Sequence, residues 1–338
     1  MKRIIPLCLA LVMTVGLLAG CGKQNEPAAS DETRLRVVTT IFPEYDWVRE
    51  ILGDKADNAE VTMLLDNGAD LHSYQPTADD IVKISECDLF IYVGGESDDW
   101  VDDALKNAAN ENMKVINLLE ALGDSVKTEE AVEGMQEEEH DHDHDHEDAD
   151  AKEHDHEEEA EYDEHVWLSL KNAQTLCSAI SSVLQQIDPD NKDTYAANAS
   201  AYIKKLSALD ADYQAAVNAA ACKTVLFGDR FPFRYLAEDY GLRYYAAFAG
   251  CSAESEASFE TISFLAGKVD ELNLPCVLSI EGVQHKIAET IVRNTAAKNQ
   301  KVLMMDSMQS TTSKDAANGT TYLSVMERNL SVLKEALG

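Results

Sequence analysis

Apolar positions along this chain alternate between two periods. Residues 35–41, 60–65, 89–93 and 113–119 are short runs rich in β-branched and apolar side chains, which read as strands buried on both faces. The stretches between them carry one apolar helical face. Pro43 opens a helix that gathers Trp47, Val48, Ile51 and Leu52 on one side. Thr77 and Asp80 have the spacing of a capping box ahead of Ile81, Val82 and Ile84. Residues 98–110 and 171–187 read as further helices. Residues 191–220 are Ala-rich, without Gly or Pro, and predict a helix of roughly 30 residues, ~45 Å long. The alternation then repeats, with strands at 224–227, 242–248, 276–280 and 301–306 and helices at 233–240, 259–272, 285–296 and 321–337. The pattern predicts an α/β protein of two lobes, 34–190 and 221–338. Each has a mainly parallel sheet flanked by helices, and the long helix 191–220 joins them rigidly.

Two regions depart from this pattern. Residues 124–164 are acidic, rich in His and almost devoid of apolar side chains, too few to offset the ordering entropy. They read as a disordered loop inserted in the first lobe. At the start, Lys2 and Arg3 precede an apolar run to Leu18, too short to span a bilayer as a helix. The run ends in Leu18-Ala19-Gly20-Cys21, which resembles a bacterial lipobox. Residues 1–20 are therefore expected to be a lipoprotein signal peptide and Cys21 the lipidated residue that anchors the protein to the bilayer on its extracytoplasmic face. Residues 21–33 form a polar tether.

Charge narrows the partners. The chain carries a formal net charge of -34, and residues 129–164 alone hold 20 acidic residues against one Lys. Such a surface argues against nucleic acid and favours cations. Seven Cys are present, none paired as C-x-x-C, which disfavours a zinc ribbon or a redox motif. Cys87, Cys177, Cys222, Cys251 and Cys276 remain once Cys8 and Cys21 are set aside. Cys222 and Cys276 each begin an apolar run, so a disulfide between them is one possible pairing.

Candidate chemistry lies at strand ends, where open α/β sheets bind ligands. His72 falls in Gly68-Ala69-Asp70-Leu71-His72-Ser73-Tyr74-Gln75-Pro76, after the second strand. His165 falls in Asp163-Glu164-His165-Val166-Trp167-Leu168, where the His-rich loop ends. Neutral imidazole is a common zinc ligand. Asp306 ends the last strand. Glu281 follows the strand ending at Ile280, and its i, i+4 spacing to His285 would put both on one helix face. In the loop, His140, His142, His144, His146, His154 and His156 alternate with acids. A solvating tract explains the acids but not six imidazoles, so the tract reads as an accessory metal collector of weak, fast-exchanging sites.

Taken together, the segments Gly-Ala-Asp-x-His-x-Tyr-x-Pro and Asp-x-His-x-Trp resemble those of the metal-binding substrate-binding lipoproteins of ABC importers, the zinc- and manganese-uptake family. Val37-Val38-Thr39-Thr40-Ile41-Phe42-Pro43, Asp88-Leu89-Phe90-Ile91-Tyr92 and Tyr240-Gly241-Leu242 extend the likeness over residues 35–337. The resemblance implies a metal held by His72 and His165 in the cleft between lobes, with Asp306 as the acidic ligand. It also implies a third ligand, His or Glu, five residues before a Tyr. Counting back from Tyr235 gives Arg230, which has no lone pair to offer a cation. Either an acid substitutes, the adjacent Asp229 or Glu281 on the same strand-end rim, or Arg230 pairs with a carboxylate and tunes the site.

The resemblance implies a monomer that captures Zn²⁺ and delivers it to the permease of an ABC importer. Imidazole ligands favour zinc, whereas loss of the third His hardens the site and admits Mn²⁺ or iron as the alternative. A surface adhesin of the same fold and a non-metal solute-binding protein are the other readings. An enzyme is not expected: H-E-x-x-H, G-x-S-x-G and P-loop motifs are all lacking.

Overall fold

A computed structural model describes residues 34–106, 108–136, 161–252, 256–282 and 284–338. Within them, β1 (Arg36–Thr39), β2 (Glu60–Met63), β3 (Leu89–Tyr92) and β4 (Lys114–Asn117) form one sheet in the order β2-β1-β3-β4. A second sheet, in the order β6-β5-β7-β8, comprises β5 (Thr224–Arg230), β6 (Arg243–Phe248), β7 (Cys276–Ile280) and β8 (Lys301–Met305). Every pairing is parallel. Val37, Leu89, Phe90 and Ile91 are wholly buried, as strands covered by helices on both faces require. Both sheets switch direction of winding at their centre, between β1 and β3 and between β5 and β7. That is where a doubly wound sheet leaves a crevice at its carboxyl edge.

Helix α1 (Phe42–Leu52) carries Pro43 in its first turn, and the Glu44 carboxylate accepts hydrogen bonds from Thr40 N (2.8 Å) and Ile41 N (3.3 Å). Its Trp47, Val48, Ile51 and Leu52 are fully buried. The Thr77–Asp80 capping box opens α2 (Ala78–Glu86). Then come α3 (Val101–Leu105), α4 (Leu118–Leu122), α5 (Leu170–Ile187) and α6 (Lys192–Ala219), whose 28 residues span ~42 Å. Buried Tyr195, Ala199, Tyr202, Leu206, Leu209, Tyr213 and Val217 recur every three or four residues along α6 and give it one apolar stripe. The second half adds α7 (Arg234–Tyr240), α8 (Phe259–Leu272), α9 (Lys286–Asn294), α10 (Ser313–Ala317) and α11 (Tyr322–Leu337).

The halves are tied together through buried groups. Near the start of α6, Asn198 Nδ2 donates to Ile51 O (3.0 Å); towards its end, Tyr213 OH donates to Met326 O (2.7 Å). Tyr322 of α11 donates its N–H to Asp46 (2.9 Å) and its hydroxyl to Trp167 O (2.7 Å), and Trp167 Nε1 donates to Ser307 O (2.9 Å). One apolar cluster runs from Val37 to Leu337 across both sheets. Wide separation of the halves would break several buried hydrogen bonds at once, so hinge motion is confined to small amplitude.

Three expectations are corrected, and the possible Cys222–Cys276 pairing is not formed. In place of a helix over 98–110, a 3₁₀ turn, Glu96–Asp98, is followed by the short α3, Val101–Leu105. Asp98 is buried with its carboxylate accepting from Gly94 N (2.9 Å), which ties it to the strand end instead of a helix start. His285 has φ 52 and caps α9, so Glu281 and His285 do not share a helix face. Cys87, Cys177, Cys222, Cys251 and Cys276 are all free thiols. Finally, residues 124–136 and 161–164, assigned from sequence to the disordered loop, are packed. Thr128 bridges Tyr162, Asp163 N donates to Lys127 O (2.8 Å), and Gln136 N donates to Ala247 O (2.9 Å). The six His of the tract, like Cys21 and the signal segment, lie outside the described residues. No helix among the described residues is long and apolar enough to cross a membrane.

Candidate metal centre

His72 sits on a single 3₁₀ turn, Leu71–Ser73, beyond the carboxyl end of β2. Asp70 caps the turn by accepting from His72 N (3.1 Å), and buried Leu71 anchors it. His72 Nδ1 lies 2.8 Å from Ser97 Oγ and 3.4 Å from Glu164 Oε2. His165 is fully buried. Asp163 Oδ1 accepts from both His165 N and the Nδ1 side of the ring, each at 2.9 Å, and the buried turn Val166–Leu168 anchors the backbone on the carboxyl side of His165. Gly250 closes against the same ring: a Cβ there would stand 3.1 Å from His165 Cε1.

These two imidazoles converge, with Nε2 to Nε2 at 3.3 Å. Two nitrogens bound at 2.0–2.1 Å to one tetrahedral ion stand about 3.3–3.4 Å apart, the edge of that tetrahedron. The His165 Nδ1 faces the Asp163 carboxylate, and the His72 Nδ1 faces the Ser97 hydroxyl with the Glu164 carboxylate at 3.4 Å; with the ring protons on Nδ1, both Nε2 lone pairs are free for one ion. Two lone pairs at this distance repel unless a proton or a cation lies between them.

Two more donors reach the pair. Cys251 Sγ and both imidazoles offer ligand atoms that all lie within 4.8 Å of one another. Burial and the adjacent Glu129 push the Cys251 thiol well above its ordinary range. Gln309 is the other. With its amide nitrogen donating to both Asp70 oxygens (3.0 and 3.1 Å), its oxygen lies 3.2 Å from His165 Nε2 and accepts a hydrogen bond there whenever that nitrogen carries the ring proton. Sequence reasoning singled out neither residue. Cys251 follows Phe248-Ala249-Gly250 just beyond the end of β6, so the strand-end rule that pointed to His72 pointed there too.

The remaining candidates stand elsewhere. Arg230 follows the second of its two options: its guanidinium meets Asp70 Oδ2 at 2.7 Å. Burial pushes the Asp70 carboxyl up, but Arg230 and His72 together pull it below its usual value. Asp229 turns away, accepting from Ser279 Oγ (2.8 Å) and from its neighbour's backbone N–H, while His285 Nδ1 meets the same serine (2.8 Å). Glu281 accepts from Ser307 N and Oγ (both 2.6 Å) and from Gln309 N (3.2 Å). It thereby shapes the turn that carries Gln309. Asp306 accepts from Met308 N (2.9 Å) and lies 3.7 Å from Arg328. Asp229, Glu281 and Asp306 are not brought to the imidazole pair among the described residues.

A cavity of about 710 Å³ opens beside His72. His72 and Cys251 lie in its wall with Glu96, Glu129, Glu130 and Glu161. This lining draws cations towards the pair.

Comparison with known proteins supplies the context. Residues 37–336 match the family described as zinc-uptake complex component A, periplasmic. The chain is 33% identical over 335 residues to the zinc-binding lipoprotein AdcA of Streptococcus pneumoniae, covering 99% of this chain and 61% of that protein. It therefore spans about three-fifths of that relative's length. It is 31% identical over 323 residues to the high-affinity zinc uptake system protein ZnuA of Bacillus subtilis, covering 95% of this chain and 94% of that one. Among solved structures, the Zn(II)-bound ZnuA-like domain of S. pneumoniae AdcA superposes with a TM-score of 0.67 at 29% identity, over 90% of this chain and 99% of that domain. A mutant of the laminin-binding adhesin Lmb of Streptococcus agalactiae superposes with a TM-score of 0.69 at 25% identity, over 90% of this chain and all of that one (100%).

Proposed function

The chain belongs to the zinc-uptake complex component A family, and from that premise we propose that it captures Zn²⁺ at His72 and His165 and delivers it to the permease of an ABC importer. One observation carries the reading: two imidazole Nε2 atoms 3.3 Å apart, each ring held from behind by a carboxylate. That arrangement suits a tetrahedral ion and supports Zn²⁺ over Mn²⁺, whose sites favour oxygen donors. The family is an uptake component and not an enzyme.

Capture proceeds as exchange of water for protein donors. The acidic cavity concentrates the hydrated cation, and the imidazole lone pairs then replace its water. Carboxylates behind both rings raise ligand basicity and hold ring orientation. Protons compete for the same lone pairs, so binding weakens as the imidazoles protonate. Because one core spans both halves, release requires an external push, the role we assign to the permease. Cys21 carries the lipid that keeps the protein at the outer face of the membrane. The His tract, His140 to His156, acts as an accessory collector. Its flanks support this role, since Gln136 and Glu161 both lie in the wall of the cavity that holds His72.

The test is zinc affinity by competition with a chromophoric chelator. His72→Ala and His165→Ala each abolish tight binding while the apo-proteins melt as cooperatively as the parent chain. Tight binding that survives either substitution would overturn the assignment.

A further inference from the structure

We propose that Cys251 is a third protein ligand of the captured ion, as thiolate; this rests on His72 and His165 being the capture site. The cluster of Cys251 Sγ with the two Nε2 atoms is the one group of three metal-binding side chains found among the described residues. It joins the halves: His72 and His165 belong to the segments around the first sheet, and Cys251 follows β6 of the second. A tetrahedral N–metal–S edge with bonds of 2.0–2.1 and 2.3 Å is about 3.6 Å long. Sγ therefore has at most ~1.2 Å to travel, within reach of a χ1 adjustment. Its backbone is already fixed, with Cys251 N donating to Glu129 Oε1 at 3.0 Å.

Charge gives the second argument. Two neutral imidazoles and the Gln309 amide oxygen put no negative charge directly on a divalent cation, and the Asp163 and Glu164 carboxylates act on it only from behind the rings. The nearby Asp70 carboxylate is taken by the Arg230 guanidinium at 2.7 Å. A buried dication needs anionic compensation, and Cys251 is the donor in the cluster that can become an anion. On binding, the S–H bond breaks, the S–metal bond forms and the proton leaves to water, with no change of oxidation state. A set of two nitrogens and one thiolate selects borderline-soft cations, Zn²⁺, Co²⁺ and Cd²⁺, over Mn²⁺, Mg²⁺ and Ca²⁺. It reverses the expectation that loss of the family's third His hardens the site.

The test titrates the full chain with Co²⁺, which reports tetrahedral geometry through its visible d–d bands and thiolate ligation through a near-ultraviolet sulfur-to-metal charge-transfer band. The parent chain is expected to show both. Cys251→Ser should keep the d–d bands, lose the charge-transfer band and weaken Zn²⁺ binding by at least about tenfold, since even outer-shell changes cost that much. Cys222→Ser, the other half-buried thiol, should leave the charge-transfer band in place. Visible bands without the charge-transfer band in the parent chain, or a charge-transfer band that survives Cys251→Ser, would overturn the thiolate while leaving the imidazole pair standing. Bands unchanged by His165→Ala would overturn both.

Discussion

Gly250→Ala is expected to cost zinc affinity without costing the fold. The added methyl would stand 3.0 Å from Phe231 O, 3.1 Å from His165 Cε1 and 3.2 Å from His165 Nδ1. Ordinary contact begins near 3.4 Å, so the imidazole must retreat by about 0.3 Å or the loop must lift. The ring has nowhere comfortable to go. It is fully buried, held by Asp163 at 2.9 Å on one side, with Trp167 at a centroid distance of 5.3 Å. Metal–ligand distances tolerate only about ±0.2 Å. The expected loss is therefore that of a disturbed supporting shell, about 10- to 100-fold in affinity or ~1.4–2.7 kcal/mol. Gly250 is not among the glycines with positive φ, so Ala suits its backbone and the cost to folding should be small. Chelator competition measures the first quantity and thermal melting of the apo-protein the second. Unchanged zinc affinity in a variant that melts like the parent would refute the reasoning, because it would mean that the position of the His165 ring does not matter to the ion.

Three further outcomes are expected from the same geometry. Gln309→Ala should weaken zinc binding by roughly tenfold, whereas Asp306→Asn should leave it nearly unchanged; calorimetric titration showing the reverse order would restore Asp306 as the acidic ligand. Deleting residues 137–160 should leave one tight zinc equivalent and remove only weak ones, and equilibrium dialysis showing loss of the tight equivalent would contradict the accessory role. Apo-protein stability should rise as pH falls from about 8 to about 5. Burial pushes Asp46 and Asp98 up to about 7, and burial with the neighbouring Asp306 pushes Glu281 up to about 6. Over that window the native state holds protons that the unfolded chain has released, giving a slope of up to about 1.4 kcal/mol per pH unit for each such carboxyl. The trend reverses at more acid pH, where the unfolded carboxylates also protonate and groups held low by ion pairs, such as Asp70 and Glu164, lose their partners. Denaturant melts showing a flat or opposite trend between pH 5 and 7 would contradict this, and Asp46→Asn should reduce the slope.

The sheets were legible because strands buried on both faces are written as unbroken apolar runs, as in Val37-Val38 and Leu89-Phe90-Ile91. The long helix α6 was legible from its uninterrupted composition. Boundaries set by a single side chain were not: Asp98 turns inward to Gly94 N, and His285 adopts a left-handed backbone, and neither leaves a periodic trace. The packing of residues 124–136 was hidden as well, because it comes from backbone hydrogen bonds to distant segments such as Ala247. His72 and His165, which the structure brings together, stood out in the sequence through their motifs. Gln309 could not, since its place depends on Glu281 drawing in the 307–309 turn, a contact between residues more than 20 positions apart. Asp306 looked apt as the last residue before that turn, but its carboxylate is used locally on Met308 N.

The central claim is that one ion sits between His72 and His165. A crystal structure of the zinc-loaded chain, with anomalous data collected on both sides of the zinc edge, tests it most directly. The account predicts a single strong anomalous peak about 2.0–2.1 Å from both Nε2 atoms. A strong peak elsewhere on the ordered chain, with none between the two imidazoles, would contradict it.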